Sequence, residues 1–365
     1  MFSINVNRKR NRKEEDLLNA QYWQAIERYD SEFGRGVAVA IVSIVQDHIV
    51  GDAVQKAIDL LGGIKSFVHP QDKVVIKPNL VFGLPPYTGF TTDPPIIDAI
   101  VQICKSMDPS EVIIAEGSGG IDTKLAFRIS GYVELARKHG VKLVDLNESP
   151  AKKVAVPDGE VVRELRVPKV ILDCDVLINV PKLKIYRHIP KQRDWMSLAV
   201  KNLIGVLPGQ GQYSPTRPSG FSVELSREFW TTKGKFYHPS YARWWSPRGE
   251  KKRIHKRLAQ GLVDINMAIK PALNVIDGIL VSNDVDMTHT RGESPFELDI
   301  ILASRDPLAV DCIAAKIAGL DPFEISYLKY AAERGVGESD CKRIQVLGTR
   351  LEETIRSWEI AFASP

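Results

Sequence analysis

The sequence predicts an α/β protein: a mainly parallel sheet flanked by helices, with a loop-rich basic and aromatic insertion. Three observations lead there. Short apolar runs alternate with helix-like stretches from residue 37 onward, the pattern of βαβ units. The runs are continuous, as in "VVIK" and "VLINV", which suits strands buried within a sheet. The informative runs end on polar or charged residues beside Gly or Pro, at the place where such sheets bind ligands.

The elements follow in order. Residues 37–45 read as a strand, 53–61 as a helix stopped by Gly62 and Gly63, and 73–77 as a strand. A helix over 95–105, a strand over 111–115, a helix over 126–139 with Gly140 at its C-cap and a strand over 141–145 come next. "EVVRELRVPKVILD" (160–173) reads as a strand pair interrupting the alternation. Residues 176–180 form a strand ended by Pro181, and a helix begins over 196–203. The second half gives a helix over 258–267, strands over 272–277 and 298–304, a helix over 309–318 and a last strand over 344–347. Residues 1–36 form a basic and amphipathic N-terminal appendage, 37–348 the α/β domain, and 349–365 a C-terminal helix or tail. Within the domain, 209–256 is rich in Pro, Gly, Ser and Tyr and has no clear period. It reads as an irregular insertion, of the kind that forms lids and binding loops.

Composition narrows the function. The chain has 365 residues, 44% hydrophobic and 26% charged, enough for a substantial core. A net charge of +4 makes no polycation, so nucleic-acid contact would rest on local patches. No apolar run approaches the ~20 residues of a membrane helix, and no apolar core follows the basic N-terminal residues as in a secretory signal. A membrane partner is therefore not expected, and the cytoplasm is the expected location. Cys104, Cys174, Cys312 and Cys341 are scattered without a C-x-x-C pair, which argues against a zinc ribbon, an iron–sulfur cluster or a disulfide framework in this chain.

The strand ends carry the chemistry. Lys77 and Asn79 follow one strand, Glu116, Gly117, Ser118 and Gly119 another, Lys182 and Lys184 a third, and Asp277 a fourth. A lysine closing a buried strand is unfavourable unless an anion pairs with it. That anion is either a ligand, clamped by Lys77, Lys182, Lys184 and Lys201, or an internal carboxylate such as Glu116 or Asp311; the sequence leaves both open. Asn79 and Asn202 would add hydrogen bonds, and the "EGSGG" loop backbone donors, although it is neither G-x-G-x-x-G nor a Walker A string. Lys201 and Asn202 lie early on a helix among Leu198, Val200, Leu203 and Ile204, facing a pocket or solvent. Glu116, Asp277 and Asp311 are candidate ligands for a divalent ion such as Mg²⁺, with Asp311 alternatively a charge at a helix start. Lys182, Lys184, Glu116 and His188 are the candidate catalytic set. No G-x-S-x-G elbow appears, and Cys174 reads as core.

The strings "VVIKPNLV", "TTDPPIIDAIV", "EVIIAEGSG", "VLINVPKLK", "AVKNLIG", "RDPLAVD" and "AERGVGE" occur in this order. Together they resemble the domain-of-unknown-function family numbered 362, over roughly residues 37–348. The resemblance implies an α/β fold and supports the strand-end residues as a pocket; it implies no reaction. Many members of that family carry a ferredoxin-like cysteine domain that this chain lacks, so no iron–sulfur cluster is expected here. The family's "PKLKTH" reads "PKLKIYRH", which puts His188 in a displaced position.

Three functions follow from these residues. The first is an enzyme binding a small anionic metabolite, a carboxylate or phosphate, at the strand ends, with or without a divalent metal. Its acid–base chemistry would be that of a lyase or isomerase removing a proton next to a carboxylate. The second is a single-stranded nucleic-acid-binding protein using 7–13, 186–195 and 243–257, where basic residues mix with aromatics. The third, on family analogy alone, is a redox accessory to a separate iron–sulfur protein. The oligomeric state is left open.

Overall fold

In the computed structural model of the chain, the residues described are 40–80, 83–119, 121–156, 158–185, 196–208, 248–282 and 295–363. The N-terminal appendage, His188 and most of the 209–256 insertion lie outside them.

The first half holds strands β1 (Ala40–Gln46), β2 (Lys73–Lys77), β3 (Glu111–Glu116) and β4 (Lys142–Asp145), with helices α1 (Val50–Asp59), α2 (Pro94–Lys105), α3 (Thr123–Ile129) and α4 (Tyr132–His139) between them. A hairpin of β5 (Ala151–Ala155) and β6 (Glu164–Pro168), then the short α5 (Lys169–Leu172), lead to β7 (Val176–Asn179), β8 (Lys182–Ile185), β9 (Met196–Ser197) and α6 (Ala199–Asn202). The second half holds α7 (Arg248–Ala268), β10 (Leu273–Ser282), β11 (Phe296–Ser304), α8 (Pro307–Ile317), α9 (Ser326–Glu333), β12 (Ile344–Gly348) and α10 (Leu351–Ala363). The main sheet runs β12-β1-β11-β10-β7-β2-β3-β4. Its β1–β11 and β10–β11 pairs are antiparallel and the others along this order parallel, so the fold is the α/β class with a mainly parallel, mixed sheet.

Burial on both faces explains the continuous apolar strands. Val74 and Ile76 pack on one side with α1 and α2 residues such as Ala57 and Ile100. Val75 faces the other, against Leu165, Val167 and Leu203. A third core joins β10 and β11 to α8 and α9 through Ile276, Leu302, Ile313 and Leu328.

Several expectations are corrected. The helix over 126–139 is two helices, because Gly131 takes a left-handed φ of 79° between them. Residues 196–197 are a strand paired with β8, so the helix starts only at Ala199. The strand at 164–168 pairs with 151–155, upstream of the pair read from 160–173. Residues 248–256 are not irregular but open α7. The strand expected over 176–180 does end before Pro181, but the chain re-enters the sheet directly after it as β8, which was not expected. β7 pairs with the start of β10 and β8 with its far half, so one long strand holds two short ones end to end. In β8, Lys182 and Lys184 share one face, while Leu183 and Ile185 enter the core on the other.

The C-terminal helix α10 lays Trp358, 3% exposed, against Phe296 with an edge-on ring contact at 5.1 Å. Trp358→Ala is expected to cost about 3 kcal/mol or more of stability, read as a lowered urea midpoint; an unchanged midpoint would show that α10 is dispensable packing.

Candidate functional site

Parallel pairing brings the ends of β2, β3 and β7 to one level. Lys77 lies opposite Asn179, and Glu116 closes the next strand. At those tips the Lys77 Nζ donates to Glu116 Oε2 at 2.7 Å, to the Pro78 carbonyl at 2.9 Å and to Asn202 Oδ1 at 3.3 Å. Burial pulls Lys77 below and Glu116 above their usual pKa ranges, and their mutual attraction opposes both shifts. Asn202 also accepts from Asn79 Nδ2 and donates to Asn179 Oδ1. The turn after α6 roofs the pair: a side chain at Gly205 would place its Cβ 2.8 Å from Glu116 Oε1 and 2.9 Å from Lys77 Nζ. Only a glycine allows that approach.

A second ion pair lies along β8 and β10. Asp277, opposite Lys182 in the sheet, accepts from Lys182 Nζ at 2.8 Å and from the backbone N–H groups of Ile279 and Asp93. Both side chains are fully buried.

Lys184 differs from these two. It is 1% exposed, and its Nζ donates to two neutral acceptors, Asn79 Oδ1 at 2.6 Å and the Phe90 carbonyl at 2.9 Å. Among the described residues no carboxylate lies within ion-pair distance of it. Burial first, and then the like charges of Lys201 and Lys182, hold it well below the usual lysine range, with Glu116 in partial opposition. The site therefore contains an amine that holds its proton less firmly than an exposed lysine does.

The structure thus brings together Lys77, Asn79, Glu116, Lys182, Lys184, Asn202 and Asp277, with Lys201 close enough to act on Lys184. It also alters several roles. Lys77 and Lys182 are neutralised internally, so a clamp of four free lysines is not what the fold builds. The backbone of "EGSGG" is largely occupied: Gly117 N donates to the Gly205 carbonyl and Ser118 N to Thr123 Oγ1, with Gly119 following half-buried. Asp311 is no metal ligand beside Glu116 and Asp277. Its two oxygens accept the N–H groups of Ala199 and Val200 at 2.7 and 2.9 Å, fixing the start of α6. Among the described residues no three His, Cys, Asp or Glu side chains gather to hold a metal ion. Sequence reasoning missed Asn179, Asn274 and Asp93. The first two are lone amides in apolar strands, bonded to each other at 2.9 Å; that interruption of an apolar run was their only signal.

Comparison with known proteins adds a family and little chemistry. The family model described as "Domain of unknown function (DUF362)" matches residues 74–316. A curated relative, the Thylakoid-associated protein sll1697 of Synechocystis sp., is 25% identical over 300 residues, covering 82% of this chain and 79% of that protein. Among solved structures, the lactate racemase apoprotein from Thermoanaerobacterium thermosaccharolyticum superposes with a TM-score of 0.37 at 13% identity. That match covers 77% of this chain and 57% of the racemase chain, and carries no argument about activity.

The buried amine has a consequence for stability. In the unfolded chain Lys184 keeps its proton to about pH 10.4; in the folded protein it loses it at lower pH. Between those limits the unfolded state binds more protons, so this group makes stability rise with pH. The stability of the wild type relative to Lys184→Met is expected to increase as pH rises toward the ordinary lysine range, by up to about 1.4 kcal/mol per pH unit. A constant difference in urea unfolding over that rise contradicts the assignment.

Proposed function

We propose, for a chain that belongs to the DUF362 family, an enzyme that binds a small anionic metabolite, a carboxylate or phosphate, at its strand ends and moves protons there with Lys184. The observation that carries this reading is Lys184 itself, a sealed amine with neutral partners and cationic neighbours. An amine whose pKa is lowered by burial and like charge can act as a base. In this reading the cationic neighbours answer the charge of the entering anion, and Lys184 keeps its lone pair for the ligand's proton.

In this reading Asn79, Lys201 and Asn202 contact that anion, the two amides exchanging for it hydrogen bonds they now make within the protein. Removal of a proton next to a carboxylate fits this arrangement better than acyl transfer. Among the described residues the thiols are poor nucleophiles: burial pushes Cys104 up to about 12, and Cys312 is raised too. A divalent ion is left out of the reading because Glu116 and Asp277 are committed to lysines. Lys77, Lys182 and Lys184 are at most 1% exposed, so entry requires displacement of segments packed on them, among them 83–93 and 199–206.

No described residue favours the nucleic-acid alternative; its segments lie outside the described structure except for 248–257 on α7. The redox alternative likewise gains no support. Among the described residues no helix is long and apolar enough to cross a membrane. The thylakoid association belongs to the relative's name, and the cytoplasm is retained as the proposed location for this chain.

Thermal unfolding with oxalate, malonate, inorganic phosphate and Mg²⁺ tests the proposal. At least one anion at a hundredfold excess over its Kd should stabilise the wild type by about 2.7 kcal/mol. Lys184→Met should lose most of the effect. If none of these anions raises the melting temperature, the anion site is wrong.

A further inference from the structure

We propose that Asp93 is the second proton-transfer group of this site, delivering a proton to the ligand's carboxylate oxygen while Lys184 removes one from the neighbouring carbon. The role rests on the anion-site reading above.

Asp93 stands at the start of α2 in an extended conformation, where an aspartate ordinarily spends its carboxylate on the helix N–H groups. Here that use is blocked. The next two residues, Pro94 and Pro95, have no N–H to offer, and the N–H of Ile96 is taken by the Asp93 backbone carbonyl at 3.0 Å. The side chain makes no capping bond, and among the described residues nothing donates to its carboxyl. Its own N–H donates to Asp277 Oδ2 at 2.8 Å, which sets the carboxyl beside the Lys182–Asp277 pair.

The surrounding charges decide its state. Burial and the Asp277 carboxylate push Asp93 up to about 6, and Lys182 on β8 opposes them. From α4, the Tyr132 hydroxyl donates to the Thr92 carbonyl at 2.9 Å and lies within electrostatic reach of Asp93. Glu116 and Asp277 are engaged with lysines, so Asp93 is the uncommitted carboxyl of the group. It is half-buried whereas Lys184 is sealed, which lets it exchange protons with water. Lys182 links the two groups: it acts on Asp93 and on Lys184, it shares a face of β8 with Lys184, and the Phe90 carbonyl that anchors Lys184 lies three residues before Asp93.

The step balances. One C–H bond of the ligand breaks and an N–H bond forms on Lys184. The Asp93 O–H bond breaks and an O–H bond forms on the ligand's carboxylate. A singly protonated ene-diolate results, with one O–H and one anionic oxygen, and reversal of both transfers restores both groups.

Calorimetry with oxalate tests the role on the whole chain, since oxalate is planar like the ene-diolate form. At pH 7 the wild type should take up protons on binding, counted from the dependence of the heat on buffer ionisation. Asp93→Asn, whose amide can donate as the acid does, should bind within about threefold of the wild type at pH 5 and take up about one proton fewer at pH 7. Equal uptake by the two proteins overturns the role of Asp93 and leaves the anion site standing. Loss of binding in Asp93→Asn alone also overturns it, because the amide should substitute. Absence of binding by oxalate, malonate and phosphate in both proteins overturns the anion site and this role together.

Discussion

An ammonium group in a protein interior must be partnered or give up its proton, and this constraint organises the site. Three lysines are buried together at the strand ends. Two are answered by carboxylates on neighbouring strands, Lys77 by Glu116 and Lys182 by Asp277. Each answer requires two strands in register and a turn that comes close without a side chain, as Gly205 does. The third lysine receives only neutral oxygens. Its deprivation depends on the other two, since their carboxylates are already committed and their positive charges add to its burden.

The same network ties distant parts of the chain to one place. Asp311 on α8 holds the first N–H groups of α6, and α6 supplies Lys201 and Asn202. Four residues cannot make a stable helix alone, so α6 owes its place to a carboxylate more than a hundred residues away. Asn179 donates to the Ala199 carbonyl and to Asn274, which reaches the Ser304 and Arg305 carbonyls. The amides thus carry the alignment across β7, β10 and the end of β11.

Much of this was legible in the sequence. The α/β class, the sheet's mainly parallel character and the placement of Lys77 and Glu116 at strand ends follow from apolar runs and what terminates them; Asp277 instead lies midway along β10, which continues to Ser282. What escaped was pairing. Whether Lys77 faces a ligand or Glu116 is decided by strand order, which one chain's text does not contain. Asp311 looked like a metal ligand because its partners are backbone N–H groups, invisible in any residue pattern. Asp93 escaped because it precedes the helix expected over 95–105 and was assigned no role, although the two prolines after it already showed that capping would be refused. The strand after Pro181 was missed although "KLKI" has the period of a strand with one polar and one apolar face.

That alternation makes β8 an electrostatic vernier. Shifting it by one residue along β10 would move Leu183 and Ile185 onto the polar wall and drive both lysines into hydrocarbon. A mispaired β8 is therefore penalised twice, by lost apolar contact and by two stranded charges. The strand is short, which would ordinarily leave its alignment loosely defined. Here the residues that equip the site are also those that forbid the chain to slide, so length or sequence variation is far better accommodated beyond Ile185 than between Val176 and Ile185.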